Sequence, residues 1–354
     1  MRMLVGINYP WVDYGWDFGD PPPAWVPPER LPAWRETKRK QIETDFRLLA
    51  SHGIFAVRWF ILADGLNYGM GKFAPRKADG AWTFDPLPAG HSFYDRLCDD
   101  FEFVLQTCRF HGLNLFPSLI DFCWCREGTP VPGSHGIVKG GRQDIVRDPE
   151  KRQAFFDRVL DPLLESSMRY NDSVYAWELI NEPEWVVRKD PAFVKEAGSR
   201  SVSQKEMREF IAEGVRRINA KRLPDDSTAF PSSVGFADWE SLDEWEAEEL
   251  GITLHQFHYY AQRHSDLPEY SDLKTHPCVV GEFATATGRE WPDLKLLNRD
   301  QSTGNRLCRI EEKGYPACFM WSARAVDKAT RWTAEEHQEV IAYTGAGRPD
   351  RLRG

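Results

Sequence analysis

A chain of 354 residues with a formal net charge of −9 has no basic excess with which to track a phosphate backbone, so no nucleic-acid partner is expected. Apolar residues make up 42% of it and charged residues 28%, the balance of a chain with a large core rather than a disordered one. No stretch approaches the roughly 18 apolar residues that cross a bilayer, and the apolar opening is too short for a signal-peptide core, so no membrane partner and a cytoplasmic location are expected.

The first apolar segment, near 3–9, reads as a strand. Residues 10–33 follow with seven prolines and the aromatics Trp11, Tyr14, Trp16, Phe18 and Trp25. A proline-rich loop loses less entropy on ordering, so this one reads either as a stiff aromatic wall at the active face or as a plain cover for it. A helical pattern near 34–51 then runs into HGIFAVRWF (52–60), where Gly53 can cap the helix in positive φ and a strand near 54–62 starts at once. The same unit recurs at HGLNLFPSL (111–119), LGITLHQF (250–257) and KGYPACFMW (313–321). Further strands are expected near 114–121, 174–180, 228–234, 252–260, 277–283 and 316–322. Helices are expected near 91–110, 149–170, 201–220, 238–249 and 299–313, with a weak one near 266–275 and a last one near 334–344. The basic end RPDRLRG (348–354) reads as a solvated terminus.

Strands of this kind, apolar on both faces, belong in a parallel sheet buried on both sides. Eight alternating strand–helix units are what closure requires, so the expectation is an α/β fold of (β/α)8 TIM-barrel type, one domain over 1–354. An open doubly wound sheet would want a Gly-X-Gly-X-X-Gly turn, and the sequence has none. The loops after strands, 10–33, 63–90 and 122–148, are long while those before strands are short. That asymmetry places an active face at the strand C-termini.

Two glutamates fall on that face. In WELINEPEW (177–185) an apolar strand runs into Asn181, Glu182 and Pro183, and the proline ends the strand and fixes where Glu182 points. In PCVVGEFATA (277–286) a buried-type strand ends at Glu282. Charges at the ends of buried strands are expensive unless they are paired or used, so the pair suggests acid–base or nucleophilic chemistry.

Arg58 in AVRWF, the Asn181-Glu182-Pro183 run, His258-Tyr259-Tyr260, Glu282 and Trp321 in FMWSA together resemble glycoside hydrolase clan A, family 5 in particular. The run NDSVYAWELINEPEW (171–185) is most similar to endo-β-mannanases, and β-glucanases share much of it. The resemblance implies a retaining β-glycosidase acting on a β-mannan or β-glucan type of carbohydrate. In it Glu182 is the acid/base, Glu282 the nucleophile, and Asn181 a contact to the sugar 2-hydroxyl. Arg58 and Tyr260 would donate to the nucleophile, His258 would touch or orient, and Trp321 would be the sugar platform. Trp11 and Asp121 join the expected substrate contacts. The sequence departs from the family at Phe122, where a His often follows the Asp, and Trp124 is the expected substitute platform there. Glu184 departs too, standing where mannanases commonly carry arginine.

No cofactor and no metal are expected. Cys123-Trp124-Cys125 lacks a second set of ligands and reads as buried thiols, and the odd cysteine count suits reduced thiols. His52 and His111 precede helix-ending glycines and read as contacts to helix C-terminal carbonyls. Other readings compatible with the same residues are an exo-acting glycosidase, a transglycosylase and a non-catalytic carbohydrate-binding barrel. The sequence leaves the oligomeric state open.

Overall fold

The computed structural model describes residues 2–11, 13, 15–22, 24–67, 71–75, 82–134, 136–187, 202–260, 267–285, 302–324 and 332–345. Within them, eight parallel strands close into a barrel: β1 (Leu4–Asn8), β2 (Ala56–Phe60), β3 (Asn114–Asp121), β4 (Trp177–Asn181), β5 (Ser232–Phe236), β6 (His255–Tyr259), β7 (Cys278–Ala284) and β8 (Ala317–Trp321). Each strand pairs with its neighbours in chain order, and β8 closes on β1 with Leu4 opposite Ala317. This is the expected TIM barrel.

Side chains alternate along a strand, so every second residue turns into the barrel. Ala56, Phe116, Ala176, Leu254, Val279, Ala317 and Phe319 make one apolar layer. Two residues further along their strands come Arg58, Ser118, Glu178 and Gln256, which are hydrogen-bonded to one another. Phe60 and Trp321, two residues on again, join an aromatic cluster at the mouth. The interior therefore passes from apolar base to polar middle to aromatic rim.

The outward faces pack under helices: α1 (Leu31–Ser51), α2 (Ser92–His111), α3 (Pro149–Phe155 and Asp161–Met168, joined by a π turn), α4 (Gln204–Asn219), α5 (Glu240–Glu244), α6 (Thr303–Glu312) and α7 (Ala334–Thr344). In α4 the buried residues Met207, Phe210, Ile211, Val215 and Ile218 recur at helical spacing. Ser203 and Glu206 form a capping box that satisfies its first N–H groups. No described helix is long and apolar enough to cross a membrane. All seven cysteines are free.

Three expectations shift. The strand expected near 228–234 lies at Ser232–Phe236, because Thr228 and Ala229 pair back onto Arg222 and Lys221 and the chain enters the barrel only after Pro231. The helix near 238–249 stops at Glu244, since Glu246 adopts φ +48. In the described part of 266–275 there is only a 3-10 turn, Tyr270–Asp272, because Pro268 has no N–H and that of Tyr270 goes to the carbonyl of Lys313. The basic end, Tyr14 and residues 299–301 lie outside the described residues.

The long loops carry structure the sequence did not announce. Residues 71–75 and 82–86 pair antiparallel, as do Thr129–Pro130 and Val138–Lys139. Buried Arg142 donates to the carbonyls of Asp64, Gly65, Val138 and Gly140 while lying over Trp124, tying the loops after β2 and β3 together.

Candidate active site

Arg58, from the middle of β2, is wholly buried and uses all five of its N–H groups. Nε and Nη2 form a fork on Glu178 at 2.6 Å each. Nη1 reaches Asn8 at 2.7 Å and Glu282 at 2.6 Å, and Nη2 also reaches Asn181 at 2.7 Å. Burying such charges is costly unless every donor and acceptor is matched, and here they are. Glu178 completes the match by accepting from Ser118 and Gln256, both at 2.7 Å. Gly235 and Gly281 leave room for this, for a Cβ on Gly235 would sit 3.0 Å from Arg58 Nη2 and one on Gly281 only 2.1 Å from Gln256 Oε1.

Glu282, near the end of β7, is held from two sides. Arg58 donates to Oε1, and the Tyr260 hydroxyl donates to Oε2 at 2.8 Å. Burial pushes its carboxyl above the ordinary glutamate range, while His258, Arg58 and Tyr260 act against that push.

Glu182 arrives from β4 through an uncommon backbone. Its φ is +44, and its N–H is tied to the Gly235 carbonyl at 2.6 Å. Pro183 follows at once, so the chain turns out of the sheet at this residue, and the strained conformation is kept by its neighbours on both sides. The side chain is more open than that of Glu282, and Oε1 lies 2.7 Å from Nδ1 of His258. The same Nδ1 is 3.5 Å from Glu282 Oε2, so the imidazole lies between the carboxylates. Burial pushes the His258 pKa down to about 4, which keeps the ring neutral at neutral pH.

One atom from each of Glu182, His258 and Glu282 lies within 4.8 Å of the others. Three metal ligands have that spacing, yet these atoms already bond to one another and to Tyr260. Arg58 beside them supplies the positive charge and would repel a cation. The trio is better suited to moving a proton than to holding an ion.

Asn181 turns its carbonyl to Arg58 and its amide to Asp121 Oδ2 at 2.8 Å. Asp121 also accepts the N–H of Cys123 at 2.9 Å, and burial raises its carboxyl pKa. Asp121 thus meets Asn181 and the start of the next turn. At the mouth, Trp11 stands edge-on to Trp321 with centroids 6.0 Å apart, and both belong to a cluster with Phe60, Ala63, Ala284 and Tyr260.

Trp124 does not reach this site. It is fully buried in the main core against Phe155 and Arg142. The N–H of Cys123 folds back onto Asp121 and opens the 3-10 turn Phe122–Cys125, which turns Trp124 inward. Phe122, at the departure from the family pattern, stacks instead on Trp185 at 5.9 Å and 24°. Cys123 and Cys125 are buried thiols whose pKa burial raises. His52 Nδ1 meets the Leu48 carbonyl at 2.5 Å, as expected of a helix end, whereas His111 packs edge-on against Phe110.

Sequence reasoning passed over Asn8, Ser118, Glu178 and Gln256. Glu178 had a usable signal, since a charge in the middle of a strand buried on both faces has to be paired. Glu184 is also more than a departure from a pattern. It is wholly buried, accepts the Ala237 N–H at 3.1 Å, and burial raises its pKa to about 8.

No family model matches the sequence, and no curated protein matches it. Solved structures do match. The β-mannanase of the blue mussel Mytilus edulis is 18% identical over 99% of this chain and 93% of its own, with a TM-score of 0.64. An endo-1,4-β-mannanase from Eisenia fetida is 17% identical over 97% of this chain and 91% of its own, with a TM-score of 0.63. An exo-β-1,4-mannosidase from Opitutaceae bacterium strain TAV5 is 15% identical over 98% of this chain and 59% of its own, with a TM-score of 0.55. At such identities the likeness is one of fold, and the chain has the (β/α)8 barrel that these enzymes share.

Proposed function

We propose that the chain is a retaining β-glycosidase of the clan A, family 5 kind, cleaving a β-linked saccharide by double displacement. Glu282 is the nucleophile and Glu182 the acid/base. The observation that carries this reading is the approach of the two glutamates, with an oxygen of one within 4.8 Å of an oxygen of the other. Retaining enzymes bring their carboxyl groups to about 5–5.5 Å, while inverting ones hold them about 6.5–9.5 Å apart to admit a water.

The surroundings support distinct tasks for the two carboxyls. Glu282, bonded to Arg58 and Tyr260, is oriented to attack the anomeric carbon with its charge stabilised. Glu182 protonates the leaving oxygen, then takes a proton from the water that breaks the glycosyl–enzyme bond. A charged imidazolium beside it would hold Glu182 ionised and spoil it as an acid, so a neutral His258 suits the task. Asn181, fixed by Arg58 and Asp121, has a second amide hydrogen for the sugar 2-hydroxyl. Trp321 gives the ring a face to lie on, with Trp11 beside it. Asp121 acts through Asn181 rather than on the sugar. A β-mannan type of substrate is favoured by the sequence run 171–185 and by the mannanases and mannosidase whose fold the chain shares.

The test is turnover of aryl β-glycosides and of manno- and gluco-oligosaccharides by wild type and Glu282→Ala. The variant is expected to lose on the order of 10⁴-fold or more in kcat. Azide should restore it by forming the glycosyl azide of inverted anomeric configuration. An active Glu282→Ala protein would defeat the assignment.

A further inference from the structure

Glu184 is a buried carboxyl group that the proposed mechanism does not use. It opens a one-turn helix, Glu184–Val187, and is only 1% exposed. Oε1 accepts the Ala237 N–H at 3.1 Å, while Oε2, also buried, meets no donor among the described residues. Burying a carboxyl group with one oxygen unmatched is costly, so the side chain calls for a task beyond filling space.

Its place in the chain supplies one. Glu182 stands two residues earlier with φ +44, a conformation that a residue other than glycine keeps only where its surroundings hold it. Pro183, between the two, has no N–H with which to tie the turn. The turn is fastened to the end of β5 by one bond in each direction. The Glu182 N–H donates to the Gly235 carbonyl at 2.6 Å, and the Ala237 N–H donates to Glu184. Asp238, next in the chain, accepts the N–H and the hydroxyl of Ser241 at 2.9 and 2.6 Å, so the anchor at Ala237 is itself fixed. The Glu182 side chain leaves the backbone between the two fastenings. With the Glu184 bond gone, the turn is free to pivot on the other and to carry Glu182 Oε1 away from His258 Nδ1, now 2.7 Å off. Burial first, then the nearby Glu182 and Asp238, raise the Glu184 pKa to about 8. At neutral pH the fastening therefore sets no second negative charge beside Glu182.

We infer that Glu184 is a positioning residue for Glu182, holding the turn that carries the acid/base against the end of β5, an inference that rests on the proposed glycosidase reading. Wholly buried, Glu184 acts through that turn and not on the sugar. Displacing a catalytic group by about 1 Å can cost on the order of 10²-fold in rate, so one hydrogen bond in the turn has leverage on proton transfer.

The experiment compares wild type, Glu184→Leu and Glu184→Gln. Leucine leaves the Ala237 N–H without its acceptor, and glutamine keeps one. Values of kcat/KM are measured on the dinitrophenyl and phenyl β-glycosides of the same sugar, since dinitrophenolate leaves without a proton and phenolate needs one from Glu182. Glu184→Leu is expected to lose about tenfold or more on the phenyl glycoside and to stay within about threefold on the dinitrophenyl one. Glu184→Gln is expected to keep the wild-type ratio. Equal losses on both glycosides, no loss on either, or a selective loss shared by Glu184→Gln overturns the inference. Thermal unfolding confirms that each variant is folded, and Glu184→Ala stands in should Glu184→Leu not be. Hydrogen exchange of the Glu182 and Ala237 amides is followed in the same proteins and is expected to quicken in Glu184→Leu and not in Glu184→Gln. Should wild type cleave neither glycoside, the glycosidase reading fails, and exchange still decides the fastening. Quickened exchange in Glu184→Leu alone keeps Glu184 as the holder of the turn, and unchanged exchange removes it.

Discussion

Beneath the catalytic mouth, Arg58 spends every N–H on Glu178, Asn8, Asn181 and Glu282, and Glu178 fills its remaining positions with Ser118 and Gln256. Above it, the aromatic layer of residues 10–34 rests on edge-on ring contacts and half-exposed ion pairs. The floor permits one arrangement, because any lost partner strands a buried charge. At the exposed part of the rim, Trp25 above all, change is tolerated, because water replaces what is removed. The two regions differ in constraint: the floor fixes Glu282 from two sides, which on the proposed reading is what a nucleophile needs, and the rim leaves Trp25 open to solvent.

The sharpest way to break that comparison is Arg58→Met. It leaves Glu178 and Glu282 buried without their counter-charge, and a loss of about 3–5 kcal/mol is expected in urea unfolding. Trp25→Ala, the matching change in the rim, is expected to stay within about 0.5 kcal/mol. Equal losses would mean that the floor is no more constrained than the rim.

Next in size is Tyr260→Phe, which removes one donor from Glu282 while the Arg58 bond remains. A fall in kcat of about ten- to a hundredfold is expected. The removed bond favours the ionised carboxylate, so the Glu282 pKa rises further and the acid limb of the rate profile moves to higher pH. An acid limb that stays in place would separate Tyr260 from the nucleophile.

The smallest effect concerns Glu184, whose pKa of about 8 in the folded protein lies above the 4.5 of an ordinary glutamate. Between these values the folded chain keeps a proton that the unfolded chain has released, so the contribution is whole below pH 4.5 and is lost as the pH rises through 8. Glu184→Gln removes this slope. Chemical denaturation at the two ends of the window should show a smaller drop in midpoint for the variant than for wild type.

Much of the barrel was legible because glycine-capped helices leading into strands apolar on both faces leave few alternatives. Glu182 and Glu282 stood out for the same reason, as carboxylates where such strands end. Harder to read was SSVGF, the strand 232–236, where Gly235 leaves room for Arg58 and Ser233 accepts from Gln256, so that it lacks the apolar run of a buried strand. Asn8 and Glu178 are joined only through Arg58, and Gln256 only through Glu178, from strands far apart in the chain, and no local pattern announces such a meeting. Trp124 was misjudged because its nearness to Asp121 in sequence suggested nearness in the site. The hydrogen bond from Cys123 to Asp121 reverses the chain between them.

The central claim is that Glu282 attacks the sugar and Glu182 assists from the other side of the bond, which requires net retention at the anomeric carbon. Proton NMR of the first product released from an aryl β-glycoside reads this directly, before mutarotation mixes the anomers. The β-anomer is expected first, with the α-anomer growing in later. The α-anomer appearing first would contradict the account, since a single displacement by water would then be the reaction.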